Sequence, residues 1–193
     1  MRKWMGILCV SLGVCCLLGA AGLGLYNRWE ADKAAAYSRE ILQEVQEKIQ
    51  AREVIPGDHE KEMAVVPVGE DACIGILSVP ALDLQLPVLK DWSYAKLKKA
   101  PCLYYGSCYE KDFVIAAHNY EAHFGRLSEL QAGDTVLFTD ANGTTHHYEV
   151  VLLETLPAEA TEEMIASGFD LSLYTCTIGG GSRVTVRCRL VGF

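Results

Sequence analysis

The 193-residue sequence predicts a mainly β domain, an eight-stranded closed or nearly closed β-barrel with short helices, preceded by a transmembrane helix and a stalk helix. Three observations carry that reading. Between residues 74 and 191, short apolar runs recur between turn signals, the spacing of a barrel or sandwich. Residues 5–25 form a stretch of 21 residues without a charge, and about 20 apolar residues suffice to cross a bilayer as a helix. Residues 30–52 contain neither Gly nor Pro and are rich in Ala and other good helix formers.

Taken in order, Arg2 and Lys3 precede the apolar run, and a basic flank tends to stay cytoplasmic. The reading is an uncleaved single-pass anchor over residues 1–28, with its N-terminus cytoplasmic and the rest of the chain outside the cell membrane. Ala20-Ala21-Gly22 offers a rival, a small-residue cleavage site. Against that rival, the apolar run is longer than a signal-peptide core, and a helix continues beyond it. In that helix Ile41, Leu42, Val45 and Ile49 line a narrow stripe. A stalk resting lightly on the domain fits, and two turns of stripe are too short to specify a coiled coil. Pro56-Gly57 and the acidic residues up to Asp71 read as a linker. Residues 29–72 are thus stalk and linker, and residues 73–193 the functional domain.

Within the domain, a first strand at 74–79 ends at Pro80, a second spans 82–89, and residues 93–99 suit a short helix. A third strand at 102–105 precedes the apolar run at 112–117, which has the continuous pattern of a strand buried on both faces. Residues 124–130 suit a helical turn or two. Strands at 135–139 and 145–153 flank Asp140-Ala141-Asn142-Gly143, a hairpin turn with Asn-Gly at its centre. The last two strands, 171–176 and 183–191, flank Gly179-Gly180-Gly181-Ser182.

Composition removes some function classes. The chain has net charge −8, and three of its 17 basic residues (Arg2, Lys3 and Arg28) lie at the membrane end. The outer domain is therefore acidic and lacks the basic face that nucleic-acid binding requires. Of eight cysteines, Cys9, Cys15 and Cys16 fall in the apolar run, leaving Cys73, Cys102, Cys108, Cys176 and Cys188 outside. An odd number in that compartment leaves at least one free thiol. Cys102 with Cys108, and Cys73 with Cys188, are candidate disulfides; equally, all four are reduced and simply buried. No CxxC or paired-His spacing of a zinc site occurs, so no structural metal and no cofactor are expected.

The chemistry concentrates in three residues. Cys176 closes the strand Leu173-Tyr174-Thr175-Cys176 where a Gly-rich loop begins, and site residues gather on loops held by rigid strands. A thiol becomes a nucleophile as thiolate, which neighbouring cationic groups favour. His118 ends the apolar segment Val114-Ile115-Ala116-Ala117 and precedes a polar turn, and Arg183 opens the last strand, which the loop returns beside Cys176. Among the other histidines, His59, His146 and His147 read as surface residues, and His123 is the competitor of His118. Alternation in the last strand puts Arg183, Thr185, Arg187 and Arg189 on one face; Arg187 and Arg189 read as a solvated basic row.

Ala-His-Asn at 117–119, Leu-Tyr-Thr-Cys-Thr at 173–177 and the arginine at 183, in that order, resemble the sortases, the membrane-anchored cysteine transpeptidases of Gram-positive bacteria. The resemblance covers residues 73–193 and extends to the anchor and stalk. It implies that Cys176 is the nucleophile, His118 the general acid/base and Arg183 the ligand of the substrate carbonyl or oxyanion, with Thr175 shaping the site. It also implies the partners: sorting-signal peptides of secreted proteins, similar to Leu-Pro-x-Thr-Gly, and an amine acceptor such as a peptidoglycan precursor. Residues 157–169 are short for the long helical insertion of class B, and no aspartate–aromatic lid of the pilin-polymerising class appears in the linker, so the subtype is class D-like, with class B-like as the alternative, and the substrate motif stays open. Some family members need calcium; Glu159, Glu162 and Glu163 are oxygen donors of a suitable kind, although acidic residues on a short helix are commonly just solvated. Two other readings share the same residues: a membrane-bound cysteine endopeptidase that passes the acyl group to water, and a surface binding domain that keeps the barrel without the chemistry.

Overall fold

A computed structural model describes residues 2–53, 55 and 63–192. A single helix α1 runs over Arg2–Ala51, 50 residues, about 75 Å long at 1.5 Å per residue. Its first half is long and apolar enough to cross a membrane and is exposed from Gly6 to Trp29. Its second half lies on the domain. Ala34, Ser38, Ile41 and Val45, spaced by four, three and four residues, are buried, and Tyr37, Leu42 and Ile49 flank them. The predicted stripe is therefore real, but it is pressed into an apolar cluster rather than resting lightly.

Nine strands follow: β1 Val66–Val68, β2 Asp71–Val79, β3 Leu84–Leu89, β4 Cys102–Tyr105, β5 Phe113–Ala116, β6 Thr135–Asp140, β7 Thr145–Pro157, β8 Leu171–Cys176 and β9 Ser182–Gly192. Eight of them make the barrel, in the order β2-β3-β4-β5-β8-β9-β7-β6, closed by pairing of β6 with β2. The ninth, β1, forms inside the stretch read as linker and pairs with the first three residues of β2. Met63 to Val66 are buried there, so apolar burial, not acidic composition, decides the end of that segment. His59 lies outside the described residues. Two short α-helices, α2 Tyr94–Leu97 and α3 Thr161–Ile165, and two 3-10 turns at Pro80–Leu82 and Leu127–Glu129 complete the fold, the second within the helical turn expected at 124–130. Ser93 caps α2 by accepting a hydrogen bond from the Lys96 amide.

Closure has a specific steric basis. Gly75 faces Asp140 across the β2–β6 pair, and a Cβ at Gly75 would stand 2.2 Å from the Thr139 carbonyl oxygen. Only glycine lets the two strands approach this closely.

The barrel wall separates two apolar clusters. Inside sit Leu77, Val88, Phe113, Ile115, Phe124, Phe138, Tyr148, Leu171, Leu173, Val186 and Cys188. Outside, beneath α1, sit Ile41, Val45, Val66, Cys73, Ile76, Cys102, Val114, Ala116 and Tyr174. β5 contributes to both, which is why its sequence is continuously apolar. This partition also disposes of the candidate disulfides: each pair is split between the clusters, Cys73 and Cys102 outside, Cys188 and Cys108 inside. All are free thiols, and burial pushes each up to about 12.

Candidate active site

β5 and β8 run parallel, with Ala116 opposite Tyr174. The pairing extends one step further: the Ala117 amide donates to the Tyr174 carbonyl at 3.1 Å, and the Thr175 hydroxyl donates to the Ala117 carbonyl at 2.9 Å. Two residues beyond the last register pair come His118 and Cys176. Cys176 is the last residue of β8, while His118 lies just past β5, so the parallel register carries both to the same end of the sheet. On the other side of β8, Cys176 is the direct cross-strand partner of Arg183. The topology thus brings the three expected residues together at one rim although they are 65 residues apart in the chain at the extremes.

The loop that turns β8 into β9 is fixed by its own bonds. The Thr177 amide donates to the Ser182 carbonyl at 3.0 Å and the Gly180 amide to the Thr177 carbonyl at 2.8 Å. Gly179 and Gly180 take φ of 87° and 75°, the left-handed region that side chains avoid. Arg183 Nη1 donates to the Gly180 and Ser182 carbonyls at 3.0 and 3.2 Å, which holds the guanidinium at the mouth of this loop. Cys176 is partly accessible, in contrast to the four buried thiols of the barrel.

His118 is held on two sides. Its Nδ1 is 3.3 Å from Asn119 Oδ1, and its ring stacks on Tyr120 with centroids 4.4 Å apart and planes 9° from parallel. In a regular strand Asn119 would diverge from its neighbour. Here the chain has left the sheet and turns, with the Phe124 amide returning to the His118 carbonyl at 3.2 Å, so adjacent side chains can meet. The rival, His123, is fully buried; burial and the neighbouring His118 depress it to about 4, so it remains neutral. Buried in this way, it is no surface acid or base.

A groove of about 120 Å³ reaches Arg183 from the side of β4. Trp92, Tyr104 and Tyr174 line it in edge-on contacts, 5.8 Å and 5.2 Å between ring centroids. The segment carrying Pro157, Thr161 and Met164 forms the facing wall. Sequence reasoning missed this groove because its aromatic residues come from separate loops and strands with no common spacing.

Two sequence readings are corrected. Arg187 is not part of a solvated row: it is 1% exposed, donates to Glu154 Oε1 at 2.7 Å, to Ser172 Oγ at 2.8 Å and to the Glu163 carbonyl at 2.7 Å. The short segment bearing α3 lies over that face of β9, so alternation there does not mean exposure. Arg189, two residues further along the strand, is exposed. His146 is likewise not a surface residue: it is 2% exposed, with Nε2 3.3 Å from Asp140 Oδ2. His147 is exposed as expected. Among the described residues, Cys108, Asp140 and His146 are the group whose donor atoms could hold a metal ion, lying within 4.8 Å of one another. Asp140 is already engaged by the Thr144 amide at 2.9 Å and the Tyr109 hydroxyl at 3.0 Å, which makes the cluster a hydrogen-bonded plug beneath the hairpin.

The structure thus defines a class by its fold and rim: a closed eight-stranded barrel with a cysteine, a histidine and an arginine at one end of the sheet, preceded by a long apolar helix. Residues 77–191 match the sortase domain family, and the chain belongs to it. No curated protein matches the sequence. Among solved structures, it is similar to a lid mutant of sortase A from Corynebacterium diphtheriae, at 25% identity and TM-score 0.57 over 65% of this chain and 73% of that one. A sortase D5 transpeptidase from Clostridium perfringens shares the fold at 18% identity and TM-score 0.62, over 81% and 99% of the two chains. So does a Clostridium perfringens sortase C solved with the C-terminal cell wall sorting motif, at 22% identity and TM-score 0.54, over 63% and 71%.

Proposed function

We propose that this sortase-family chain is a cysteine transpeptidase that cleaves an LPxTG-like sorting signal and passes the acyl group to an amine of the cell wall. The observation that carries the reading is the register pairing of Cys176 with Arg183, with His118 emerging from the parallel neighbour strand. The thiolate of Cys176 attacks the scissile carbonyl, and the tetrahedral intermediate places its oxyanion before the guanidinium of Arg183, which keeps its charge throughout. His118 protonates the departing amine as the C–N bond breaks, leaving a thioester on Cys176. The incoming amine attacks that thioester, gives its proton to His118, and expels the thiolate. Atoms and protons return to their starting state.

Each side chain suits its task. Asn119 Oδ1 beside His118 Nδ1 favours the tautomer with hydrogen on that nitrogen, leaving Nε2 to exchange protons. The groove ending at Arg183, walled by aromatic rings with polar groups among them, offers a partly enclosed channel for part of an extended peptide. The anchor reading adds location: residues 1–28 hold the enzyme in the cell membrane, N-terminus inside and barrel outside, where secreted substrates and peptidoglycan precursors meet it. Residues 73–193 then form the catalytic domain, with residues 29–72 as its stalk and linker.

The test is a transfer assay. The full chain in detergent is mixed with a panel of sorting-signal peptides and an amine, and products are read by mass spectrometry beside Cys176→Ala. An amide product that disappears in the variant is expected. Acid product alone, even with amine in excess, would replace transpeptidation by endopeptidase action; turnover retained in Cys176→Ala would remove the nucleophile from Cys176.

A further inference from the structure

The stalk helix does more than tether the barrel. Ser38 of α1 is 3% exposed, and its hydroxyl donates to the Lys99 carbonyl at 2.9 Å. With its one hydrogen committed there, Ser38 Oγ can only accept from His123 Nε2, which lies 3.1 Å away. His123 belongs to the turn that starts at His118: its amide donates to the Tyr120 carbonyl at 2.9 Å, and the Gly125 amide donates to the same carbonyl at 2.9 Å. Nearer the membrane end of the same helix, Glu30 Oε2 accepts from the Tyr120 hydroxyl at 3.5 Å while Glu30 Oε1 accepts from Lys98 Nζ at 2.8 Å. The turn is therefore fastened to α1 at two of its side chains, Tyr120 and His123. Tyr120, so held, presents its face to the His118 ring.

The geometry of the turn leaves little other freedom. A Cβ at Gly125 would stand 2.6 Å from the Asn119 carbonyl oxygen, and Phe124 is fully buried in the barrel. With the Cα of His118 set by β5, the remaining variable is the plane of the imidazole. A parallel stack 9° from coplanar fixes that plane, and the plane decides where Nε2 points.

We propose that Tyr120 is a positioning residue for His118, and that α1 holds it in place through Glu30 and Ser38, so that the membrane stalk forms part of the catalytic scaffold. The role in turnover rests on the reading of His118 as acid and base; the positioning contact itself does not.

The experiment separates the two. Full-length chain in detergent is labelled with ¹³C at histidine Cε1, giving five resonances at most, with the His118 signal assigned by His118→Gln. In the wild type the stacked tyrosine shifts that signal upfield by its ring current. Tyr120→Ala abolishes the shift and lowers kcat about tenfold with KM changed less than about twofold, the pattern of a misaligned catalytic group rather than of weakened substrate binding. Tyr120→Phe keeps the ring but loses the hydroxyl bond to Glu30, so it restores most of the shift and of kcat and stops short of the wild type. Ser38→Ala, and Glu30→Gln combined with it, move the same signal part of the way although neither touches His118. A His118 resonance unmoved in Tyr120→Ala or in the double α1 variant overturns the proposal. A resonance that moves while kcat does not, with turnover retained in His118→Gln, upholds the positioning contact and overturns the acid–base reading instead.

Discussion

At the scale of single residues, accessibility separates one thiol of the barrel from its other four, the exposed Cys9, Cys15 and Cys16 lying apart on the apolar helix. Cys73, Cys102, Cys108 and Cys188 are buried and their thiols pushed up to about 12, whereas Cys176 stands partly open at the end of β8. Mild alkylation of the barrel at neutral pH is therefore expected to modify Cys176 first, and peptide mapping of the labelled protein checks it. Label found on Cys188 at a similar rate would contradict the closed barrel. Arg183 yields a sharper prediction. Lysine keeps the charge but not the two directed donors of the guanidinium, so Arg183→Lys should lower kcat/KM by about 100-fold or more. A rate near wild type would reduce Arg183 to a clasp on the Gly180 and Ser182 carbonyls. Cys176, His118 and Arg183 were all legible in the sequence, because the strand ends and the order of motifs mark them. Tyr120 was not: nothing in Asn119-Tyr120-Glu121 announces that the chain turns back and lays the tyrosine ring against His118.

At the scale of elements, both faces of the barrel wall are occupied, and this changes what a strand's alternation means. β9 has Val186 and Cys188 inside, while Thr185 and Arg187 are buried outside under the segment carrying α3. Arg187→Ala removes hydrogen bonds to Glu154, Ser172, Glu163 and Met164 and strands Ser172 and Glu154; a destabilisation of about 3 kcal/mol follows for a broken buried pair whose carboxylate is still partly hydrated. Denaturant titration measures it, and Arg189→Ala, which gives up only partly exposed contacts to the Gly168 carbonyl, Asp170 and the Phe169 ring, should cost less, about 1 kcal/mol. β2 gives the complementary case. Gly75→Ala would drive a methyl group into the Thr139 carbonyl and Phe138 ring, so the β2–β6 seam must open, at a cost of about 1–3 kcal/mol or more. Unchanged melting of that variant would mean that the seam is looser than its register implies. Strand positions were largely readable, since turn residues and apolar runs are local signals. The cover over β9 and the strand at Val66–Val68 were not, because they depend on which distant segment supplies apolar contact.

At the scale of the whole molecule, the helix–barrel joint should govern acid stability. His123, depressed to about 4 by burial, takes up a proton in the unfolded chain before it does so in the folded one. Its contribution is complete above pH 6.5 and is lost as pH falls from there toward 4, by up to about 3 kcal/mol. Asp71 adds a second, lower window. Burial alone would raise its carboxyl, but hydrogen bonds from Lys99, Tyr37 and Lys96 outweigh that and hold it below 3.8, so its contribution is lost as pH drops below that value. Melting temperature followed from about pH 7 to about pH 3 should fall through the first window in the wild type and less steeply in His123→Gln. Equal slopes would show that His123 takes up its proton without unfolding the joint.

The amino-acid sequence by itself determined the apolar helix, the order and number of the eight barrel strands, the family resemblance and the three residues at the rim, because each of these is written in local composition or in short spacing. Only the tertiary structure decided that α1 is welded to the turn carrying His118, that His146 and Arg187 are interior residues, and that the candidate disulfide partners lie on opposite faces of one wall. The physical reason is the same in each case. Periodicity tells which side chains share a face, but burial and contact depend on what the closed sheet and the returning helix lay against that face.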